Sequence, residues 1–260
     1  MPYINRSGVS LYYATYGSGT PLLLSHGFSA TSEMWSGQIA LLSARFKLIL
    51  WDMRGHGKSD YPEDPAMYSE QHTVADMEAI LAEVCGTKRA IVGGLSLGGY
   101  MSLAFYLAHP ERVKALLIID TGPGFKNDAA RDGWNKYALQ TAERFEQHGL
   151  RRLEKMSVEM KTSTHRDAKG LALAGRGMLI QKSPAVIKSL PNIKVPSLVV
   201  VGANDTPFLA GSDYMSRTIP GCKTLVIADA GHAANIDQPQ AFNVGLLNFL
   251  ANIEPARGSL

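Results

Sequence analysis

Short apolar runs alternate with helical patterns along most of the chain, and this alternation constrains the fold more than any other feature. Leu22–Ser25, Phe46–Trp51 and Val113–Ile119 are compact apolar strands, whereas Ser32–Ser43 and Leu97–Ala108 carry apolar residues at helical spacing. Strands that are apolar on both faces are typical of a parallel sheet covered on both sides. We therefore predict an α/β fold with a mostly parallel central sheet and helices on both faces.

The alternation stops between Thr121 and Pro191, where the sequence shows helical spacing and no strand pattern. We predict that residues 121–191 form a helical insert, and that residues 1–120 and 192–260 together form the core domain. An insert between two strands of such a sheet lies over the carboxyl ends of the strands, where open α/β sheets bind their ligands. The insert is therefore predicted to be a lid.

Charge is distributed unevenly along the sequence. Between Lys126 and Lys188 there are 13 Lys and Arg against 7 Asp and Glu, whereas the rest of the chain has 13 against 16. A solvated helical surface explains this excess, and attraction of anionic substrates is the alternative. The basic residues are interleaved with acidic ones and match no nucleic-acid-binding module, so no nucleic-acid partner is predicted.

Composition excludes several classes of protein. Apolar residues make up 45% of the chain and charged residues 19%, as in an ordinary globular protein. Two cysteines cannot build a disulfide framework, and no Cys/His cluster has zinc-ligand spacing, so neither a metal nor a cofactor is predicted. The apolar runs are far shorter than the roughly 20 residues of a membrane span, and the N-terminus shows no signal-peptide pattern. We expect a cytoplasmic protein with a frayed tail at Glu254–Leu260.

The segment Gly94-Leu95-Ser96-Leu97-Gly98-Gly99 lies between a predicted strand and a predicted helix. In that context, G-x-S-x-G forms a sharp turn that exposes the serine oxygen above the sheet. The two outer glycines of this motif leave room for the turn, and the helix N-terminus favours developing negative charge. Ser96 is therefore the predicted nucleophile.

With this turn, the chain resembles the α/β-hydrolase superfamily over nearly all of its length. Four more stretches carry the resemblance: His26-Gly27-Phe28, Asp52–Asp60, Gly202-Ala203-Asn204-Asp205 and Gly231-His232. The resemblance implies a serine that is activated by a histidine and a carboxylate, in the chain order serine, acid, histidine. The motifs are similar to those of small serine esterases, enol-lactonases and cofactor-free perhydrolases.

A serine hydroxyl needs a base, and the sequence offers seven histidines. His232 lies in the loop after the last strand, which the resembled family uses for the base, and is therefore predicted to be the base. His26 and His56 lie in glycine motifs and are expected to brace loops. His148 and His165, in the insert, are expected to be surface residues.

Two aspartates compete to orient His232. An anion beside the imidazole fixes its tautomer and stabilises its charged form. Asp205 follows a predicted strand and completes the order Ser96, Asp205, His232 of the resembled family. Asp120 ends the preceding strand, at a position that some relatives use for the acid. Asp205 is the prediction, and Asp120 is the alternative.

The tetrahedral oxyanion of an acyl transfer needs donors that are already in place. The resemblance implies two backbone N–H groups, those of Phe28 and Leu97. The segment Asp52–Asp60 is interpreted as structural, with an ion pair between Arg54 and Asp52 and with glycines that allow tight turns.

Bulky apolar residues of the insert, together with the Phe28 ring, are predicted to contact the substrate. Amphipathic helices that carry methionines suit apolar substrates. Packing of the same side chains on the core is the alternative for each of them. The insert residues are Phe125, Trp134, Tyr137, Met156, Met160 and Met178.

These residues together predict serine-dependent hydrolysis of a small carboxylic ester or lactone through an acyl-enzyme. Epoxide hydrolases and haloalkane dehalogenases share the surrounding motifs but use aspartate as nucleophile, and the serine at position 96 argues against both. The alternatives are C–C bond hydrolysis, cofactor-free perhydrolase or haloperoxidase chemistry, and a ligand receptor with little turnover. The expected partner is a small-molecule ester or lactone, and no oligomeric state is predicted.

Overall fold

The computed structural model describes residues 2–253, and the expected tail at 254–260 lies outside these residues. The strands are β1 (Tyr3–Arg6), β2 (Val9–Tyr16), β3 (Thr20–Ser25), β4 (Phe46–Trp51), β5 (Ala90–Leu95), β6 (Val113–Ile119), β7 (Ser197–Gly202) and β8 (Lys223–Ile227). The helices are α1 (Ser36–Ser43), α2 (Glu70–Cys85), α3 (Leu97–Ala108), α4 (Asp128–His148), α5 (Val158–Lys161), α6 (Ala168–Gly177), α7 (Ala185–Ser189), α8 (Thr206–Thr218), α9 (Ala234–Asp237) and α10 (Pro239–Ile253).

Within the described residues, the strands form an eight-stranded sheet in the order β1-β2-β4-β3-β5-β6-β7-β8. β2 runs antiparallel to β1 and β4, whereas every pairing from β4 through β8 is parallel. The predicted α/β fold with a mostly parallel sheet is confirmed.

Alternate residues of β6 face two separate hydrophobic clusters. Leu116 and Ile118 belong to the cluster that contains α2 and α3, while Ala115 and Leu117 belong to the cluster that contains α1 and α10. All four side chains are fully buried, and each burial of a leucine or isoleucine contributes about 1.5–3 kcal/mol. Helices therefore cover both faces of the sheet, which explains why the strand sequences are apolar without alternation.

The order in which successive strands are added to the sheet reverses at β3. This strand is hydrogen-bonded to β4 on one side and to β5 on the other, so the connections after β3 and β5 leave the sheet in opposite directions. A crevice opens at the carboxyl ends of the strands at such a switch point. The loop after β3 and the turn at Ser96 after β5 are next to each other at this crevice.

Residues 121–191, hereafter the helical segment, contain α4, α5, α6 and α7, and none of these residues belongs to a strand. Phe145 and Leu171 of this segment are fully buried in the same cluster as α2 and α3. Within the segment, the Nε1–H of Trp134 donates to the backbone oxygen of Leu179 at 2.7 Å. The segment is therefore packed against the rest of the chain and not only tethered to it.

The expected ion pair between Arg54 and Asp52 is wrong. Arg54 is buried and binds Asp76 of α2, with Nε–Oδ2 and Nη2–Oδ1 distances of 2.6 and 2.8 Å. Asp52 instead accepts hydrogen bonds from the backbone N–H groups of Ser32 and Lys58, at 2.8 and 2.9 Å. The carboxylate of Asp52 is thus occupied by backbone N–H groups. The guanidinium of Arg54 pairs instead with Asp76, which lies 22 residues further along the chain.

Asp76→Ala is expected to lower the free energy of unfolding by about 3–5 kcal/mol, because Arg54 would remain buried without its counter-ion. Asp213→Ala is the matched control, since it removes an exposed ion pair with Arg217 and should cost no more than about 1 kcal/mol. Urea denaturation followed by circular dichroism measures both values. Equal losses in the two variants would contradict this account of Arg54.

Candidate active site

Ser96 lies on a strained turn between β5 and α3. Its φ and ψ angles are 56° and −117°, a left-handed conformation that is uncommon for a residue with a side chain. A Cβ atom at Gly98 would lie 2.4 Å from the backbone oxygen of Ser25, and one at Gly94 would lie 2.6 Å from the carbonyl carbon of Gly98. Backbone therefore packs directly on backbone around the half-exposed serine.

The loop after β3 passes beside this serine, because a Cβ atom at Gly27 would lie 3.5 Å from the Cβ of Ser96. The oxygen of Gly27 accepts hydrogen bonds from Ala30 N at 3.1 Å and from His26 Nδ1 at 2.7 Å. In a trans peptide the N–H points away from the carbonyl, so these bonds also fix the direction of the Phe28 N–H. Within residues 2–253, this N–H has no acceptor.

Leu97 is the first residue of α3, so its N–H belongs to the helix end that has no intrahelical partner. The two N–H groups predicted for the oxyanion, those of Phe28 and Leu97, thus belong to the two backbone segments that flank Ser96. Such preplaced donors can stabilise negative charge that develops on a bound carbonyl oxygen.

His232 and Asp205 come together from two different loops. Asp205 precedes α8 and is 5% exposed, and its Oδ2 lies 2.8 Å from Nδ1 of His232. The imidazole stacks on the ring of Phe208, with 4.8 Å between the ring centroids. A proton on Nδ1 that is bound to this carboxylate leaves Nε2 as an acceptor.

Opposing effects set the pKa of His232. Burial of the ring lowers the pKa, but the hydrogen bond and charge of Asp205 outweigh it, with smaller contributions from the carboxylates of Glu159 and Asp120. The net result is a pKa above the ordinary value of 6.5. The imidazolium is therefore stabilised, as expected for a group that accepts a proton during a reaction.

Asp120, the alternative acid, binds backbone instead of a histidine. Its Oδ1 accepts from the N–H of Gly202 at 2.7 Å, and its Oδ2 accepts from the N–H of Ala234 at 3.3 Å. Burial raises the pKa of this carboxyl to about 7. Asp120 therefore connects the ends of the loops that carry Asp205 and His232, and holds them in register.

Two buried histidine rings form hydrogen bonds with the backbone of the loop after β3. His56 Nδ1 donates to the oxygen of Arg54 at 2.9 Å, while its Nε2 accepts from Ser29 N at 3.2 Å. His165 Nε2 donates to the oxygen of Ser29 at 3.0 Å, while its Nδ1 accepts from Gly57 N at 3.2 Å. The backbone of Ser29, with φ of 61°, is thus held on both sides by neutral rings.

The expectation for His165 is wrong, because this residue is only 7% exposed. Burial lowers its pKa to about 4, and burial also lowers the pKa values of His26 and His56. Nothing local in the sequence distinguishes His165 from His148, which is exposed as expected. Its role comes from a partner more than a hundred residues away in the chain.

A cavity of about 380 Å³ opens beside Ser96. Of the residues predicted to contact substrate, Phe125, Trp134 and Met178 line this cavity together with Ser96 and Leu97. The other lining residues are Tyr100, Thr121, Gly122, Pro123, Gly124, Leu179, Gln181, Pro207, Phe208, Ala210 and Gly211. The helical segment and the core domain thus both contribute to its wall.

Four of the predicted contacts do not line this cavity. The Phe28 ring is buried against Phe145 and His56. Tyr137 is 51% exposed, because it lies on the outer face of α4. Met156 and Met160 are half-buried and pack against the core cluster instead. Helical spacing placed these apolar side chains on helices, but it did not show whether each one faces the cavity, the core or solvent.

The comparisons with known proteins agree with this fold. Residues 20–177 match the model of the α/β hydrolase fold family. The chain belongs to this family. It is 27% identical to 3-oxoadipate enol-lactonase 2 of Acinetobacter baylyi over 253 residues, which cover 92% of each chain.

Solved structures give the same result for the whole α/β hydrolase domain. A thermophilic esterase from Thermogutta terrifontis superposes with a TM-score of 0.80 at 25% identity, covering 97% of this chain and 99% of the esterase. The enol-lactonase from Burkholderia xenovorans LB400 superposes with a TM-score of 0.75 at 26% identity, covering 96% and 100%. These relatives are hydrolases.

Sequence reasoning missed Glu159 in this α/β hydrolase. The residue lies in α5 and is fully buried, close enough to His232 for its charge to raise the pKa of the imidazole. Its Oε1 accepts from the hydroxyl of Ser157, while Oε2 has no hydrogen-bond partner in the described part of the chain. The sequence signal that could have indicated its burial is the position of this acid between the apolar residues Val158 and Met160.

Among residues 2–253, no group of three or more His, Cys, Asp or Glu residues could hold a metal ion. No helix in this range is long and apolar enough to cross a membrane.

The buried histidines are expected to destabilise the protein as the pH drops from about 6.5 to about 4, because in the unfolded chain their rings take up protons that the buried rings do not. Each such histidine contributes about 1.4 kcal/mol per pH unit in that range. His165→Gln keeps a donor and an acceptor but does not titrate, so its unfolding free energy should depend less on pH. Urea titrations at about pH 7.5 and about pH 5 measure the difference.

The exposed variant His148→Gln is the matched control and should behave as the wild type does. If His165→Gln lost as much stability as the wild type between the two pH values, the buried neutral state of His165 would be refuted.

Proposed function

We propose that this protein is a serine hydrolase that cleaves a small carboxylic ester or lactone with Ser96, His232 and Asp205. The observation that carries the proposal is the placement of Ser96. It is held on a strained turn at the mouth of an uncharged cavity, and the wall residue Phe208 of that cavity stacks on the hydrogen-bonded imidazole. A serine turn, a carboxylate-bound imidazole and free N–H groups are the parts that acyl transfer needs.

The reaction begins when the Ser96 hydroxyl attacks the carbonyl carbon and its proton passes to Nε2 of His232. Asp205 holds the opposite nitrogen and stabilises the imidazolium. The N–H groups of Phe28 and Leu97 receive the oxyanion, and loss of one such donor typically costs about 10²–10³ in rate. The imidazolium then protonates the leaving oxygen, and water attacks the acyl-enzyme with His232 again as base.

The relatives support the hydrolytic class, since an enol-lactonase and an esterase match along nearly the whole chain. The cavity supports a neutral substrate, because its lining among residues 2–253 contains no charged side chain. We further propose that residues 121–191 act as a lid over this cavity, because Phe125, Trp134 and Met178 belong to the helical segment. No basic residue of that segment lines the cavity, so we do not expect these residues to select anionic substrates.

Asp205→Asn is expected to lower kcat by about 10⁴, because the amide would stabilise the wrong imidazole tautomer. Asp120→Asn should have a much smaller effect on kcat, since Asp120 binds backbone N–H groups. Turnover of a chromogenic aryl ester measures both, with Ser96→Ala as the baseline. A larger loss in Asp120→Asn would reverse the choice of acid, and sustained turnover in Ser96→Ala would overturn the proposed function.

The kcat/KM of the wild type should rise with pH through a value above 6.5, because only the neutral form of His232 accepts a proton and its pKa is raised. Glu159→Gln removes a charge that raises this pKa, so the rising limb should move to lower pH. The shift should be smaller than the one caused by loss of the Asp205 charge, which acts more strongly on the ring.

Glu154→Gln, an exposed acid of the same segment, is the control and should leave the pH profile in place. A rising limb that stayed unchanged in Glu159→Gln, or moved to higher pH, would contradict the electrostatic effect of Glu159 on His232.

A further inference from the structure

The cavity beside Ser96 is mostly apolar, but it contains one polar group that the proposed mechanism does not use. Its wall is built from aromatic, aliphatic and glycine residues, and among the described residues no acidic, basic or histidine side chain lines it. A charged group bound there would lose its hydration without a counter-ion. The part of a substrate that fills this cavity is therefore uncharged.

The polar side chains of the cavity wall are nearly all occupied by the protein itself. The Thr121 hydroxyl donates to the backbone oxygen of Ser96 at 2.7 Å, and the Tyr100 hydroxyl donates to Glu70 at 2.8 Å. The indole N–H of Trp134 is bound to the backbone. The donors of these groups are therefore not available to a ligand.

Gln181 is the exception. This residue is 7% exposed, and its Oε1 is buried without a hydrogen-bond partner among residues 2–253. Its side-chain amide makes no other hydrogen bond within that range, although an amide has both donors and acceptors to satisfy. A buried polar atom without a partner typically costs about 1–3 kcal/mol, so this residue calls for an explanation.

The backbone of Gln181 is fixed by Asn135 of α4. The Gln181 N–H donates to the Asn135 side-chain oxygen at 2.9 Å, and the Asn135 amide donates to the Gln181 oxygen at 3.0 Å. On the opposite side, a Cβ atom at Gly124 would lie 2.7 Å from Oε1 of Gln181. The amide is thus packed against a glycine and held before a ligand arrives, which reduces the entropy lost on binding.

We propose that Oε1 of Gln181 accepts a hydrogen bond from an uncharged donor, a hydroxyl group, on the part of the substrate that fills the cavity. The inference rests on the proposed function, since the reacting carbonyl is at Ser96. The preferred substrate is then an ester or lactone with an otherwise apolar chain that carries one hydroxyl group. A substrate without this hydroxyl leaves Oε1 unpaired, and a site built to hydrogen-bond discriminates against the analogue that lacks the group.

The test compares pairs of esters that differ only in one hydroxyl group. The panel contains aryl esters of hydroxy-alkanoic acids, with the hydroxyl at successive carbons that do not lactonise spontaneously, each with the plain ester of equal chain length, and monoacetates of diols with their plain counterparts. The kcat/KM ratio of the best pair should favour the hydroxyl by about tenfold or more in the wild type. In Gln181→Met, which has a similar length and no amide, this ratio should approach one.

A binding measurement separates this proposal from the proposed function. Calorimetric titration of Ser96→Ala with the same ester pair should show the hydroxyl preference, and the double variant Ser96→Ala/Gln181→Met should lose it. No preference for any hydroxyl in the wild type, or a preference that survives in Gln181→Met, would overturn the role of Gln181. If no ester turned over at all, the proposed function would fail, while the titrations would still decide on Gln181.

Discussion

The close packing of backbone on backbone at the carboxyl ends of β3 and β5 is the contact on which the site depends. The α carbon of Gly98 packs on the oxygen of Ser25, and the chain turns into α3 through Ser96, whose φ is positive. Such strain costs about 1–3 kcal/mol and persists only where the surroundings enforce it. Here the Ser96 N–H donates to the oxygen of Ile119 at 2.9 Å, and the Ser96 carbonyl accepts a hydrogen bond from the Thr121 hydroxyl.

Two buried aspartates divide the remaining tasks between them. Asp205 is bound to the imidazole of His232, whereas Asp120 is bound to backbone N–H groups on both sides of these residues. The surroundings make the difference, since burial raises the pKa of Asp120 to about 7 while the partner of Asp205 is a titratable ring. Two acids of the same type thus have different roles, since Asp120 positions the loops and Asp205 pairs with the base.

Local patterns predicted the parts of this fold that local forces determine. The bounds of β4, β6 and α3 agree with the apolar runs, because strand and helix periodicity depend on neighbours in the sequence. The partners of Arg54 and His165 were not predictable in this way, because each is set by a residue far along the chain. The cavity wall was predictable only in part, since helical spacing gives an apolar face but not whether that face meets the core or a cavity.

Hydrogen bonds to main-chain atoms hold two parts of the helical segment together beside the cavity. Trp134 binds the backbone oxygen of Leu179, and Asn135 binds both backbone groups of Gln181. The side chains of Leu179 and Gln181 take no part in these hydrogen bonds. Mutation can therefore change the side chains of the wall at these two positions while the bonds that position their backbone remain, so substrate preference can diverge among descendants of this protein without a compensating change in the rest of the chain.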